Sequence, residues 1–206
     1  MMSIVWFRLD LRLTDQPALA AAVRTGGPVV PLFIHAPEEE TPWEPGAASR
    51  WWLHQSLMAL DHSLRRLGSR LIVRRGPSIE TLRRLVKETG AGAVYWNHRC
   101  EPAVVARDEK LKVGLGADGL EVRTFNAALL HEPFAIKNRS GKPFQVFTPF
   151  WRHCLGQPGP EAPLPAPSKL RSPPKWPGSL TISDIELEPK IDWAQNLRAA
   201  WRPGEI

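Results

Sequence analysis

Charged side chains follow the first apolar segment of the chain at close spacing. Residues 4–7 are apolar and strand-prone, and directly after them come Arg8, Asp10, Arg12 and Asp15. Guanidinium groups bind phosphates and carboxylates through paired hydrogen bonds, and aspartates accept hydrogen bonds from loop N–H groups. The pattern predicts that Arg8 contacts an anionic ligand, with Asp10 at the edge of its site. It also predicts that Arg12 pairs with Asp15 and stabilises the loop before the next helix.

Three further segments carry polar or aromatic residues at the end of an apolar run or at the start of a helix. "FIHAP" ends the second apolar run, "WNHRCEP" ends the fourth, and "GAASRWW" opens a helix after the second. In open α/β sheets, ligands bind outside the carboxyl ends of the strands, and arginines beside flat apolar side chains suit a planar, anionic ligand. The predicted cofactor-binding residues are Arg8, Asp10, Phe33, His35, Arg50, Trp51, Asn97, Arg99 and Glu101.

The sequence matches motifs for catalysis or metal binding less well than it matches the pattern of a ligand-binding site. "GLGADG", residues 114–119, has the spacing of a dinucleotide-binding loop, but it ends a predicted helix, whereas such a loop must open one. The sequence has no G-x-x-x-x-G-K-[ST] motif, which argues against a P-loop enzyme. His98, Cys100, His153 and Cys154 match no metal-ligand spacing, and a Cys–His nucleophilic pair stays open on residue type alone. We therefore predict no catalytic residue and no metal site.

Apolar runs that alternate with helical patterns must position these residues. The predicted strands cover 3–7, 29–35, 70–73, 93–96 and 120–125, and the predicted helices cover 17–24, 48–67, 78–89 and 103–113. This alternation predicts an α/β fold, a Rossmann-like doubly wound five-stranded parallel sheet with helices on both faces.

The alternation ends after residue 125. Segments 134–137 and 144–147 flank "NRSG", which predicts a hairpin, and in "TPFWRHCLG" Thr148 suits an N-cap and Pro149 the first helical position. Prolines then dominate residues 157–178, which predicts an extended surface segment, and a last short helix is predicted over 193–201.

Composition limits the class of protein. The chain has 206 residues, a formal net charge of +6 and two cysteines. No apolar run approaches the roughly 20 residues of a membrane span, and the amino terminus lacks a secretory pattern, so we expect a cytoplasmic protein with no membrane partner. The positive charge fits nucleic acid or a phosphate-bearing cofactor, and solvated surface arginines would explain it equally well.

Several long motifs resemble one known family. "VWFRLDLRLTDQPAL", "GAASRWWLHQSL", "LGSRLIVRRG", "AVYWNHRCEP", "FNAALLHEP" and "GKPFQVFTPFWR" occur in this order. Together they resemble the amino-terminal domain of the DNA photolyase and cryptochrome family, most closely the bacterial cyclobutane-pyrimidine-dimer photolyases. The resemblance continues to "IDWAQNLRAAWRPGE" and so covers nearly the whole chain.

The resemblance implies a division of labour in a longer protein. Residues 1–156 are expected to form the α/β domain that holds a light-harvesting antenna chromophore, and residues 157–206 the proline-rich interdomain linker and the start of a helical domain. In the family that helical domain carries the catalytic FAD and the lesion pocket, and light drives electron transfer from reduced FAD to the pyrimidine dimer. The chain is therefore expected to be the antenna part of a deoxyribodipyrimidine photo-lyase, a carbon–carbon lyase of DNA repair, and to be inactive alone.

The resemblance also bears on the antenna type. Folate-type members carry an Asn-Glu pair where this sequence has Ala103 and Val104, which disfavours folate. Arg50 matches a position that lines the deazaflavin or flavin pocket, whereas Arg99 stands where some deazaflavin-type members carry an acidic residue. A deazaflavin or an FMN/FAD-type antenna is the hypothesis, and an empty pocket is the alternative.

Three functions stay open at this point. The first is the antenna domain of a photolyase whose partners are damaged DNA, through the full-length protein, and the FAD domain. The second is a fragment of a cryptochrome-type photoreceptor, and the third is a stand-alone flavin- or nucleotide-binding module. Because the family's main DNA-binding face belongs to the helical domain, we expect weak, salt-sensitive DNA binding from this chain.

Overall fold

The computed structural model describes residues 1–132 and 135–205 of the chain. Its centre is a five-stranded parallel sheet with the strand order β3-β2-β1-β4-β5. The strands are β1 (Ser3–Phe7), β2 (Val29–His35), β3 (Ile72–Arg75), β4 (Ala93–Asn97) and β5 (Glu121–Phe125). The helices are α1 (Pro17–Arg24), α2 (Ala47–Arg66), α3 (Ser78–Thr89), α4 (Pro102–Ala117), α5 (Phe147–Leu155) and α6 (Gln195–Ala200).

Two apolar cores lie on opposite faces of the sheet. Helices α1 and α2 pack on one face, where Leu19 and Leu57 contact strand residues such as Val5. Helices α3 and α4 pack on the other face, where Leu82 and Leu111 join the second core. Burial on both faces explains why β1, β2 and β4 are nearly continuous apolar runs. The predicted doubly wound α/β fold with helices on both faces is confirmed.

The strand order creates a crevice at one edge of the sheet. The chain runs from β1 to β2 and β3 on one side, and α3 then returns it to β4 on the other side of β1. At such a reversal, the connections leave the carboxyl ends of neighbouring strands in opposite directions. The residues after β1, β2 and β4 therefore surround one opening.

Some predicted boundaries differ from the structure. Strand β3 begins at Ile72, two residues later than predicted, and α5 begins at Phe147 with Val146 before it, so Thr148 is not the N-cap. Helix α4 continues through Gly114 and Gly116, so the glycine motif is a helix end and a turn, as the sequence indicated. In the predicted hairpin, residues 135–146 form a turn and no strand, and residue 134 lies outside the described residues.

The proline-rich segment was predicted to be an extended surface segment, but part of it is buried against the sheet domain. Leu170 of this segment, and Ile182, Ile185 and Leu187 shortly after it, are buried in the same core as α1 and α2. The N–H of Leu180 donates to the carbonyl of Val73 at 3.0 Å and makes an antiparallel bridge to β3. This contact covers the exposed edge of the sheet. No helix in the described residues is long and apolar enough to cross a membrane.

Candidate functional site

A cleft of about 540 Å³ opens at the carboxyl ends of β1 and β2. One wall comes from the first turns of α2 and from residues 185–187, which follow the proline-rich segment, and the other comes from Arg107 of α4. A 3-10 helix, Pro37–Glu40, closes the outer rim. The cleft lies at the carboxyl-terminal edge of the parallel strands, where ligands of open α/β sheets bind.

The cleft brings together five of the nine predicted cofactor-binding residues. Those five lining residues are Arg8, Phe33, His35, Arg50 and Arg99. The other four, which are not among the lining residues, are Asp10, Trp51, Asn97 and Glu101. The assignment of all nine to a cofactor remains a prediction, but the geometry gives the two groups different roles.

Arg8 lies in the floor of the cleft as half of a buried ion pair. Its Nη1 lies 2.7 Å from Oδ2 of Asp108, and its Nη2 donates to the carbonyl of Asn97. Burial lowers the pKa of Arg8, and the carboxylate of Asp108 opposes this shift. Only Nε of the buried guanidinium lacks a hydrogen-bond partner among the described residues. The charge of Arg8 is therefore already balanced, and its unpaired Nε is itself buried.

A buried polar network holds the end of β1 against the start of α1. Oδ1 of Asp10 accepts the N–H of Arg8 at 2.9 Å, and its Oδ2 accepts from Gln16 at 2.7 Å and from Asn97 at 2.5 Å. The side-chain oxygen of Asn97 accepts the N–H of Ala18 at 3.2 Å. Asp10 and Asn97 thus position the strand end, because each satisfies backbone N–H groups of the loop and the helix.

The second half of the opening charged cluster stabilises the loop as predicted. Nη2 of Arg12 lies 3.5 Å from Oδ2 of Asp15 and donates to the carbonyls of Asp15 and Ala127 at 2.8 and 2.7 Å. The predicted pairing of Arg12 with Asp15 is confirmed.

Acidic residues neutralise two more arginines of the cleft. Arg99 contacts Glu40 and Glu101, each at 2.7 Å, which raises the pKa of Arg99 in spite of its partial burial. Arg107 lies 3.4 Å from Glu39 and 3.1 Å from Asp108. Glu39, Glu40 and Arg107 were not predicted as site residues. The acidic run "PEEE", residues 37–40 shortly after β2, is the signal that could have found the two glutamates.

Two arginines of the cleft keep their charge available. Among the described residues, no carboxylate lies within 4.0 Å of the guanidinium of Arg50 or Arg75, and both side chains are exposed. Arg50 makes one long hydrogen bond, 3.4 Å, to the carbonyl of Pro45. Arg75, at the end of β3, was not predicted because the sequence placed that strand's end two residues earlier.

His35 lies beside these two arginines at the end of β2. Partial burial lowers the pKa of His35, Arg75 and Arg50 lower it further, and Glu38 opposes them. The imidazole is therefore mostly neutral at pH 7, and one of its nitrogens can accept a hydrogen bond. A neutral histidine near two cations that have no carboxylate partner among the described residues suits the phosphate or another anionic group of a ligand.

Flat side chains complete the walls of the cleft. Trp6, Phe33 and Trp43 line it, and Trp43 is 82% exposed. Trp51 is 1% exposed and packs inside the domain, so Ser49 and Arg50 are the residues of that motif that line the cleft. No group of three His, Cys, Asp or Glu side chains in the described ranges could hold a metal. The cleft can thus bind a planar anion.

Comparison with known proteins gives the family of the chain. The model of the DNA photolyase family matches residues 3–168. The chain is 47% identical to a deoxyribodipyrimidine photo-lyase of Agrobacterium fabrum, over 98% of this chain and 42% of that protein. It is also 47% identical to cryptochrome-1 of Arabidopsis thaliana, over 98% of this chain and 30% of that protein.

The fold agrees with these matches. The crystal structure of a bacterial class III photolyase from Agrobacterium tumefaciens superposes with a TM-score of 0.92 and 46% identity. The aligned part covers 98% of this chain and 42% of that one. The chain thus spans less than half the length of these relatives.

Proposed function

This chain belongs to the DNA photolyase family, and on that premise we propose that it binds the antenna chromophore of a light-driven deoxyribodipyrimidine photolyase. Proteins of the family bind flavin and antenna chromophores. In the proposed division of labour, residues 1–156 hold the antenna, and residues 157–206 lead to a helical domain with the catalytic FAD. The repair of damaged DNA then belongs to the full-length protein, and this chain alone performs no dimer reversal.

One observation supports the cleft as the antenna site. Arg50 and Arg75 carry the only arginine charges of the cleft that no carboxylate balances among the described residues, and they flank the neutral His35. Exposed guanidinium groups without a carboxylate partner are available to bind the anionic group of a ligand through paired, charge-assisted hydrogen bonds. The exposed ring of Trp43, which also lines the cleft, offers an aromatic face for a ring system.

We propose a chromophore of the deazaflavin or FMN/FAD type. Its anionic side arm would lie at Arg50 and Arg75, and its ring system along the apolar walls. The folate type is disfavoured because Ala103 and Val104, at the start of α4, have no hydrogen-bonding side chains, and neither residue lines the cleft.

Absorption spectroscopy tests the proposal. The purified chain is incubated with FMN, FAD, a deazaflavin or a methenyl-folate, desalted, and its near-ultraviolet and visible spectrum is recorded. We expect a stoichiometric flavin or deazaflavin band that disappears in the R50Q/R75Q variant and persists in the matched surface variant R66Q/R84Q. A folate band alone would contradict the chromophore type, and no band with any of the four would contradict the antenna function.

A second function is favoured by one observation, the 47% identity to cryptochrome-1 of Arabidopsis thaliana. That relative makes a signalling photoreceptor the alternative for the whole protein. The two functions differ in chemistry outside this chain, so a light-dependent dimer-reversal assay on the full-length protein separates them. Repair activity supports the photolyase, and light absorption by bound FAD without repair supports the photoreceptor.

A further inference from the structure

One surface segment carries positive charge without any acidic residue. Between Glu132 and Glu161 the sequence has no Asp or Glu, whereas Lys137, Arg139, Lys142 and Arg152 fall in this interval. The side chains of these four cations are exposed. The segment therefore holds a concentration of cations that its own sequence does not balance, unlike the arginines in the floor of the cleft.

A self-contained turn fixes the positions of three of these cations. The side-chain oxygen of Asn138 accepts the N–H groups of Ser140 and Lys142 at 2.9 and 3.0 Å and the hydroxyl of Ser140 at 2.7 Å. The N–H of Asn138 in turn donates to the carbonyl of Lys142 at 2.8 Å, and Gly141 has a φ of 74°. Because the turn satisfies its own polar groups, its basic side chains are left to contact a partner.

Exposed aromatic rings lie next to this turn on α5. Phe147 and Trp151 stack with ring centroids 6.2 Å apart and an angle of 9° between the planes, although Phe147 is 70% and Trp151 50% exposed. Phe144, which packs on Phe150 and His153, lines an open hollow together with Lys137 and Arg139. Aromatic faces and basic side chains thus share one surface.

We propose that residues 137–152 form a DNA-contacting surface, with the cations of the turn on phosphates and the Phe147–Trp151 pair on the faces of accessible bases. Binding of single strands without sequence preference combines these two features, since cations follow the backbone and aromatic rings stack on bases. The choice of DNA as the partner rests on the proposed function, and the charge of the surface argues for a polyanion over an apolar protein surface.

Titration of a labelled 20-nucleotide oligo(dT) strand at several salt concentrations tests the surface. We expect the variant K137Q/R139Q/K142Q to bind about tenfold or more weakly at low salt and to lower the slope of log affinity against log salt by about 2, the value for three lost single-strand phosphate contacts. The variant R84Q/K87Q/K110Q removes the same charge from exposed positions of α3 and α4, and it should change the slope less.

The aromatic contribution is measured separately with F147L/W151L. We expect severalfold weaker binding of the strand and an unchanged salt slope, because stacking carries no charge. The proposal is overturned if the wild-type chain does not bind the strand at low salt, if both charge variants weaken binding equally, or if F147L/W151L binds like the wild type, as it would if another protein surface covers these rings. Chromophore spectra of the same variants should match the wild type, so failure here is distinct from failure of the antenna proposal.

Discussion

The guanidinium of Arg8 lies 2.7 Å from the carboxylate of Asp108, and the two side chains are only 5% and 6% exposed. The pair joins the end of β1 to α4, 100 residues later, and Trp96 also donates its ring N–H to Asp108 at 3.2 Å. This contact fixes the floor of the cleft before any ligand binds. Arg8, although it is charged and lines the floor of the cleft, therefore has a structural role.

Removal of the Asp108 carboxylate should destabilise the fold strongly. In D108L, Arg8 would keep a buried charge without its partner, which typically costs about 3–5 kcal/mol of unfolding free energy. Urea denaturation followed by circular dichroism measures the loss. E109Q breaks the exposed pair with Lys112, 2.7 Å long, and serves as the control. That control should change stability by less than about 1 kcal/mol. A D108L loss as small as that of the control would contradict a structural role for the pair.

The two unpaired arginines should discriminate between ligands by their phosphate. We expect R50Q/R75Q to weaken FMN binding about tenfold or more, because charge-assisted hydrogen bonds to the phosphate are lost. Riboflavin has the same ring system and no phosphate, so its affinity should change little. Isothermal titration with both ligands measures the difference. Equal loss for FMN and riboflavin would show that the substitutions disturb the cleft as a whole.

His35 should make the stability of the chain depend on pH. Its pKa in the folded state lies below the ordinary 6.5, chiefly through burial and then Arg75. At a pH between these two pKa values the unfolded chain binds more protons, so stability is full above 6.5 and falls as the pH drops toward the folded pKa. Comparison of urea midpoints of wild type and H35Q from pH 8 to 5 isolates the effect. The wild type should lose more stability than H35Q in acid, and parallel curves would refute the role of His35.

The proline-rich segment should behave as part of the core. Leu170 is 2% exposed and packs with α1 and α2, so L170A should cost about 2–4 kcal/mol of unfolding free energy. Leu155, at the end of α5, is 65% exposed, and L155A should be nearly neutral. Denaturant unfolding compares the two variants. If L170A is as mild as L155A, the segment does not contribute to the folded core.

Much of the fold could be predicted from local patterns. The bounds of β1, β2, α1 and α3 agree with the sequence prediction, because long apolar runs and periodic helix faces report burial directly. Strand β3 and the start of α5 were shifted by one or two residues, since short elements depend on tertiary contacts more than on their own pattern. The packing of Leu170 and Leu187 could not be predicted, because no periodicity marks isolated apolar residues in and after the proline-rich segment.

By itself the sequence determined the fold class, the family and the edge of the sheet where charged residues gather. These follow from the order of apolar runs, from long motifs, and from the rule that residues after parallel strands meet at one edge. Only the tertiary structure decided which arginines keep a free charge. Asp108 neutralises Arg8, and Glu40 neutralises Arg99, across 100 and 59 residues of chain, while Arg50 and Arg75 have no such partner among the described residues. Pairing at that separation depends on how helices and loops pack around the sheet, which no local pattern encodes.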